Sequence, residues 1–129
     1  MNYFYGFIIL LVCYQLYNFY RLKKRTGGLT NYTPQEAAAK MKSDSNVILL
    51  DVRSDAERQQ SSIKGSIHTP LNKIDSAVSE LEKYRDKEII CYCASGSRSV
   101  AAAIKLKEKG FNASNLRGGI GAWNASGVK

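Results

Sequence analysis

Between Glu88 and Lys109 the chain changes character twice. Ile89-Ile90-Cys91-Tyr92 is a continuous apolar run, Cys93-Ala94-Ser95-Gly96-Ser97-Arg98-Ser99 is small and polar, and Val100 to Lys109 is an Ala-rich stretch of helical composition. An apolar run without polar alternation is the mark of a strand covered on both faces. A strand that passes through a short loop into a helix is half of a parallel βα unit. This order sets a thiol, Cys93, in a loop ahead of a helix N-terminus. The first N–H groups of a helix lack internal partners, and the helix dipole is positive there. Such a loop binds anions and favours a thiolate over a thiol. Arg98 adds a fixed positive charge.

The rest of the chain after residue 31 continues the alternation. Thr33-Pro34-Gln35-Glu36 is a capping box with Pro at the first helical position, opening a helix to about Lys42. Val47-Ile48-Leu49-Leu50 is a second buried strand, ended by Asp51-Val52-Arg53. Ser54-Asp55-Ala56-Glu57 is a second capping box, for a short helix. Ser66-Ile67-His68 is a short strand closed by Pro70, and Ile74, Val78 and Leu81 recur at helical spacing. Gly110 is the C′ residue of the helix after the cysteine loop, with Phe111 as its hydrophobic partner. Asn115-Leu116 is a last short strand, and Gly118-Gly119 turns into a short helix bearing Trp123. Phe111 and Trp123 are read as core. The pattern predicts an α/β domain with a mainly parallel central sheet flanked by helices. Ligands of such sheets sit at the carboxyl ends of strands, where Asp51 and Cys93 both fall.

Residues 3–20 are uncharged and mostly apolar. Eighteen residues at ~1.5 Å each give a helix of roughly 27 Å, enough for a thin hydrocarbon core. Tyr3, Tyr5, Tyr17 and Tyr20 stand near its ends, as interfacial aromatics do. Arg21, Lys23, Lys24 and Arg25 follow at once. A signal peptide carries its charge before the apolar run and small residues at a cleavage site; this chain has neither. A buried core helix rarely lacks a polar face for so long. The reading is one transmembrane helix over 1–20, a basic juxtamembrane linker over 21–31 and a folded domain over 32–129. The basic flank places that domain in the cytoplasm, where a thiol stays reduced.

The net charge of +8 is concentrated in that flank: residues 30–129 carry 15 basic and 11 acidic side chains, so the domain is only mildly basic. It lacks the basic stripe with stacking aromatics that nucleic-acid binding calls for, and favours small anionic partners. Three cysteines, Cys13, Cys91 and Cys93, make no disulfide framework. With one histidine, His68, they make no metal site either, and no cofactor is implied.

Taken together, residues 32–123 resemble a rhodanese (sulfurtransferase) domain. Tyr32 to Ala37 is similar to the family's opening helix, and Leu50-Asp51-Val52-Arg53 with Glu57 to its first sheet motif. Ile63 to Leu71 is similar to its Gly-Ala-x-Asn-x-Pro segment, Cys93 to Arg98 to its catalytic loop, and Leu116-Arg117-Gly118-Gly119 with Ala122-Trp123 to its closing signature. Arg58 stands where the family has an aromatic residue, Ser61-Ser62 where it has Gly-His, and His68 where it has Asn. These departures bear on substrate preference rather than on reaction class.

The resemblance implies a thiosulfate sulfurtransferase-like enzyme in which Cys93 takes a sulfane sulfur from thiosulfate, a polysulfide or a protein persulfide. It then passes that sulfur to a thiol or protein acceptor. Cys93 and Arg98 are the catalytic pair, and Ala94, Ser95, Gly96 and Ser97 form the substrate-binding loop. Asp51, Arg53 and Arg58 are supporting residues. Asp51 and Arg53 read as structural, holding strand end to loop. Arg58 and Lys64 read as solvated surface, or as attractors of an anionic donor. Cys91 reads as core, and His68 as a hydrogen-bonded turn residue rather than a base. The family's phosphatases and arsenate reductases have one more residue in the loop than Cys-x4-Arg, which sets them as the alternative. A non-catalytic interaction module of the same fold is a third reading.

Overall fold

The computed structural model describes residues 3–128, with the backbone alone described for 22–27. The side chains of Lys23, Lys24 and Arg25, expected to flank a membrane, lie outside the described residues. Five strands form one sheet: β1 (Asn31–Tyr32), β2 (Val47–Asp51), β3 (Ile67–His68), β4 (Glu88–Tyr92) and β5 (Asn112–Leu116). Their order is β1-β5-β4-β2-β3, and every pairing is parallel. Helices α1 (Tyr3–Gly27), α2 (Pro34–Ser43), α3 (Asp55–Gln60), α4 (Val78–Leu81), α5 (Ser97–Glu108) and α6 (Gly119–Ala125) complete the chain.

Strand alternation divides the core between the sheet faces. Leu50, Ile89, Cys91, Cys93 and Ala113 pack with Ala102, Ala103 and Leu106 of α5. Leu49, Ile90, Tyr92 and Leu116 pack with Ala37 of α2 and Ile120 and Trp123 of α6. The alanines of α5 let its backbone approach the sheet closely, which fixes the helix directly behind the cysteine loop. Both expected capping boxes form: Thr33 Oγ1 accepts from Glu36 N–H and Ser54 Oγ from Glu57 N–H, each reciprocated by the glutamate. Gly110 takes the expected left-handed conformation after α5.

The structure differs from the sequence reading at several elements, and α5 begins at Ser97 rather than Val100. The linker expected over 21–31 is largely ordered secondary structure. Helix α1 runs on through the basic cluster to Gly27, since Lys, Arg and Leu are good helix formers. Asn31–Tyr32 is an edge strand in which Thr30 O accepts from Asn115 N–H and Tyr32 O from Arg117 N–H. The helix expected from Ile74, Val78 and Leu81 is only the single turn of α4, between 3-10 turns at Leu71–Lys73 and Glu82–Tyr84. Strand β5 begins three residues early, at Asn112.

Helix α1 contains a 19-residue stretch, Tyr3–Arg21, with mean hydropathy 1.2, none of it buried against the rest of the protein. By length and composition it can cross a membrane, and among the described residues it is the one helix that can.

Candidate active site

Parallel pairing aligns the strand ends, so that Leu50 faces Cys91 and Asp51 faces Tyr92. Cys93 is the next residue, at the carboxyl edge of the sheet. Its side chain is on the α5 side and the residue is buried. Ala94, Ser95 and Ser97 are exposed around it.

The loop curls back on the sulfur. Gly96 N–H donates to Cys93 Sγ at 2.9 Å. Gly96 holds φ +112°, a left-handed conformation that β-carbon sterics disfavour, and it is the N-cap of α5 without a side-chain cap. The helix therefore presents open N–H groups towards the thiol. Ser99 Oγ lies 3.4 Å from Sγ and donates to Asn115 Oδ1 at 2.6 Å; Asn115 Nδ2 in turn donates to Asn31 Oδ1 at 2.9 Å. Ser99 has one hydroxyl proton for two acceptors, so ionisation of Cys93 bears on the whole chain back to β1. Burial pushes the Cys93 thiol up, but the Ser99 hydroxyl and the N–H groups of Ser99, Gly96 and Ser95 outweigh it. The net result is a pKa below the ordinary thiol value. Cys91 shows the opposite balance: it is wholly buried, and desolvation followed by the Cys93 charge pushes its thiol far up. It is a core residue, as its place in the strand predicted.

Helix α6 holds the loop from above. Ile120 N–H donates to Cys93 O at 2.9 Å and Gly121 N–H to Ala94 O at 3.3 Å. The approach requires glycine: a β-carbon on Gly119 (φ +61°) would stand 2.2 Å from Cys93 O and 2.7 Å from Ala94 O. The Gly118-Gly119 signature, distant from the cysteine loop in sequence, thus packs directly against it.

Arg98 turns towards α3. Its two Nη groups donate to the Glu57 carboxylate at 2.7 and 2.8 Å, a bidentate pair at the half-exposed surface. Arg98 holds the Glu57 carboxyl down to about 2, and Glu57, more than the Cys93 sulfur, raises Arg98. One flank of Arg98 borders a groove of about 530 Å³ lined by Val52, Ser54, Leu71, Ala101 and Lys105 among others.

The supporting residues form a separate network on the other sheet face. Buried Asp51 accepts from Arg53 N–H (2.9 Å), Nε (3.0 Å) and Nη2 (2.9 Å), and from Tyr92 Oη at 3.1 Å. Burial opposes its ionisation, but Arg53 prevails and keeps the carboxyl below its ordinary value. Arg58 is partly exposed and joins this network: Nη1 donates to Ser66 Oγ and Nη2 to Ser66 O, each at 2.7 Å, with Asp51 Oδ2 at 3.3 Å. It ties α3 to the segment before β3. His68 is hydrogen-bonded as expected, Nε2 lying 2.8 Å from Arg53 O, but it ends strand β3, paired with Asp51, rather than standing in a turn. Asp51, Arg53 and Arg58 thus fix α3, α3 carries Glu57, and Glu57 holds Arg98.

Ser99, Asn115, Asn31 and Tyr92 Oη were not singled out in the sequence. Their signal was present: a serine in the alanine-rich face of α5 and an asparagine in a buried strand are polar residues that need partners.

The rhodanese-like domain family model matches residues 33–126. A sulfurtransferase from Allochromatium vinosum is 38% identical over 84 residues, covering 64% of this chain and 77% of its own. A rhodanese-related protein from Thermoplasma volcanium superposes with a TM-score of 0.70 at 31% identity, covering 78% of this chain and 95% of its own. A protein of unknown function from Rhodopseudomonas palustris, described as a possible tyrosine phosphatase, superposes with a TM-score of 0.72 at 26% identity, covering 84% of this chain and 89% of its own. On the family match and the identity to its relatives, the chain belongs to the rhodanese-like domain family.

Proposed function

We propose that this protein is a membrane-anchored sulfurtransferase and persulfide carrier with Cys93 as its nucleophile. The observation that carries the reading is the nest around Cys93 Sγ, where the Gly96 amide and the Ser99 hydroxyl at the start of α5 meet a buried sulfur. In the first half-reaction the Cys93 thiolate attacks the sulfane sulfur of a donor. An Sγ–S bond forms, the donor's bond to that sulfur breaks, and its electron pair leaves with the remainder, as sulfite from thiosulfate or as a thiolate from a persulfide. In the second, an acceptor thiolate or cyanide attacks the outer sulfur and Cys93 leaves as thiolate. Charge and sulfur are conserved in each step, and no metal or redox cofactor takes part. A thiolate already favoured by the loop needs no general base.

Cyanolysis tests this. With thiosulfate, polysulfide or a protein persulfide as donor, thiocyanate forms with the wild-type protein and not with Cys93→Ser. Phosphate release or arsenate reduction, with no thiocyanate from any donor, would favour the alternative that the Cys-x4-Arg count argues against.

Helix α1 is the proposed single-pass anchor, its exposed apolar side chains meeting lipid and the basic segment after it holding the domain on the cytoplasmic side. Flotation of the full chain with liposomes, together with protease accessibility of the domain from the cytoplasmic face alone, is the expected result. Recovery of the full chain in the soluble fraction would exclude it.

A further inference from the structure

We propose that Glu57 tunes this site for sulfane-sulfur donors of low charge, hydropersulfides of the form R–S–SH, over the thiosulfate dianion. The inference rests on the sulfur-transfer reading above and names the donor class for that site.

The cysteine loop brings one cation, Arg98; Ala94, Ser95, Gly96 and Ser97 carry no charge. That cation is already matched. Each terminal nitrogen of Arg98 donates to one Glu57 oxygen, at 2.7 and 2.8 Å, so one carboxylate charge faces the one guanidinium charge. Glu57 is held there by more than Arg98: it closes the capping box of α3, accepting from Ser54 N–H and Ser54 Oγ. Its carboxyl, at about 2, stays ionised at any working pH. Lys105, across the groove, pairs with Asp75 at 3.1 Å, and on the other sheet face Arg53 and Arg58 both serve Asp51.

A dianion approaching Cys93 meets a thiolate of its own sign and a guanidinium whose charge is already matched by the Glu57 carboxylate. A hydropersulfide avoids both costs. Cys93 Sγ bonds to its outer sulfur, the S–S bond breaks and R–S⁻ leaves with the electron pair. The remaining cation near the loop is Arg117, exposed and unpaired among the described residues, beside Gly118 whose backbone abuts Gly96. Its charge is of the opposite sign to Glu57, and it serves as the internal comparison.

Glu57→Gln is the discriminating variant. Glutamine keeps an acceptor for Arg98 and serves equally in a capping box, so the local fold is retained and one charge is lost. The experiment measures persulfide loading of Cys93 in the full-length protein by quenched mass spectrometry, with thiosulfate and with cysteine hydropersulfide. Wild type loads faster from the hydropersulfide. E57Q shifts the ratio of loading rates towards thiosulfate by roughly tenfold, the scale of one unit charge acting on a dianion at short range in a water-like dielectric. The shift shrinks as salt is raised, which a merely structural role would not produce. Arg117→Gln removes an unmatched cation and moves the ratio the opposite way, away from thiosulfate. An unmoved ratio in E57Q, a shift of E57Q away from thiosulfate, or a shift of R117Q towards thiosulfate overturns the inference while leaving sulfur transfer intact. Failure of wild type to load from either donor removes the sulfur-transfer reading itself, and this inference with it.

Discussion

Replacing Gly119 with alanine tests whether α6 builds the cysteine loop or merely follows it. Three effects add. Residue 119 sits at φ +61°, where a β-carbon costs about 1–2 kcal/mol. The new methyl would lie 2.2 Å from Cys93 O and 2.7 Å from Ala94 O. Both are backbone atoms that no rotamer change can clear, so α6 and the loop must part. Parting stretches the Ile120 N–H to Cys93 O and Gly121 N–H to Ala94 O bonds, worth about 1 kcal/mol each. The stiffer unfolded chain returns less than about 1 kcal/mol. The net loss is about 3 kcal/mol, which at roughly 1.5 kcal/mol per molar urea lowers the unfolding midpoint by about 2 M. Trp123, the chain's single tryptophan and buried in α6, reports the transition by fluorescence. Gly65→Ala supplies the comparison, since Gly65 has φ +83° with nothing within 4 Å of a β-carbon. It isolates the conformational cost and lowers the midpoint by less than about 1 M. Equal shifts in the two variants would refute the claim that α6 clamps the loop.

Ser99→Ala removes the hydroxyl that faces Cys93 Sγ and moves the thiol pKa upwards; iodoacetamide alkylation followed against pH should shift to higher pH. In the wild type, alkylation and persulfide loading both fall as pH drops through the depressed Cys93 pKa, and they are already substantial below the ordinary thiol range. Asp51→Asn leaves the Arg53 guanidinium buried without its counter-charge, a loss of about 3–5 kcal/mol read by thermal unfolding. Because Asp51 titrates lower in the folded protein than unfolded, its contribution is complete above the ordinary carboxylate pKa and fades as pH falls towards the native value. The variant should therefore show a shallower loss of stability on acidification than the wild type.

Elements written in local chemistry were legible in the sequence. The capping boxes at Thr33 and Ser54, the Gly110 stop and the apolar strands β2 and β4 follow from short-range rules, and so does the placing of Cys93 at a strand end before a helix. What the sequence concealed is held by distant partners. β1 is two residues long and exists because Asn115 and Arg117 bond its backbone across the chain. β5 reads as polar through Asn112-Ala113-Ser114-Asn115, yet pairing with β4 makes it a strand. Ser97, Arg98 and Ser99 look like loop by composition and form the first turn of α5. Arg58 looked like surface and lies in a network with Asp51, Ser66 and Tyr92, whose members come together only when α3 folds back over the sheet. The Glu57–Arg98 pair joins residues 41 positions apart, and no local pattern announces it.

The most direct measurement is the intact mass and peptide map of the purified protein after exposure to a sulfane-sulfur donor, without reductant. One added sulfur atom on Cys93, absent from Cys91 and Cys13, lost on cyanide treatment and missing in Cys93→Ser, is the result expected of a persulfide carrier. No added sulfur with any donor, or sulfur carried on another cysteine while Cys93 stays free, would contradict it.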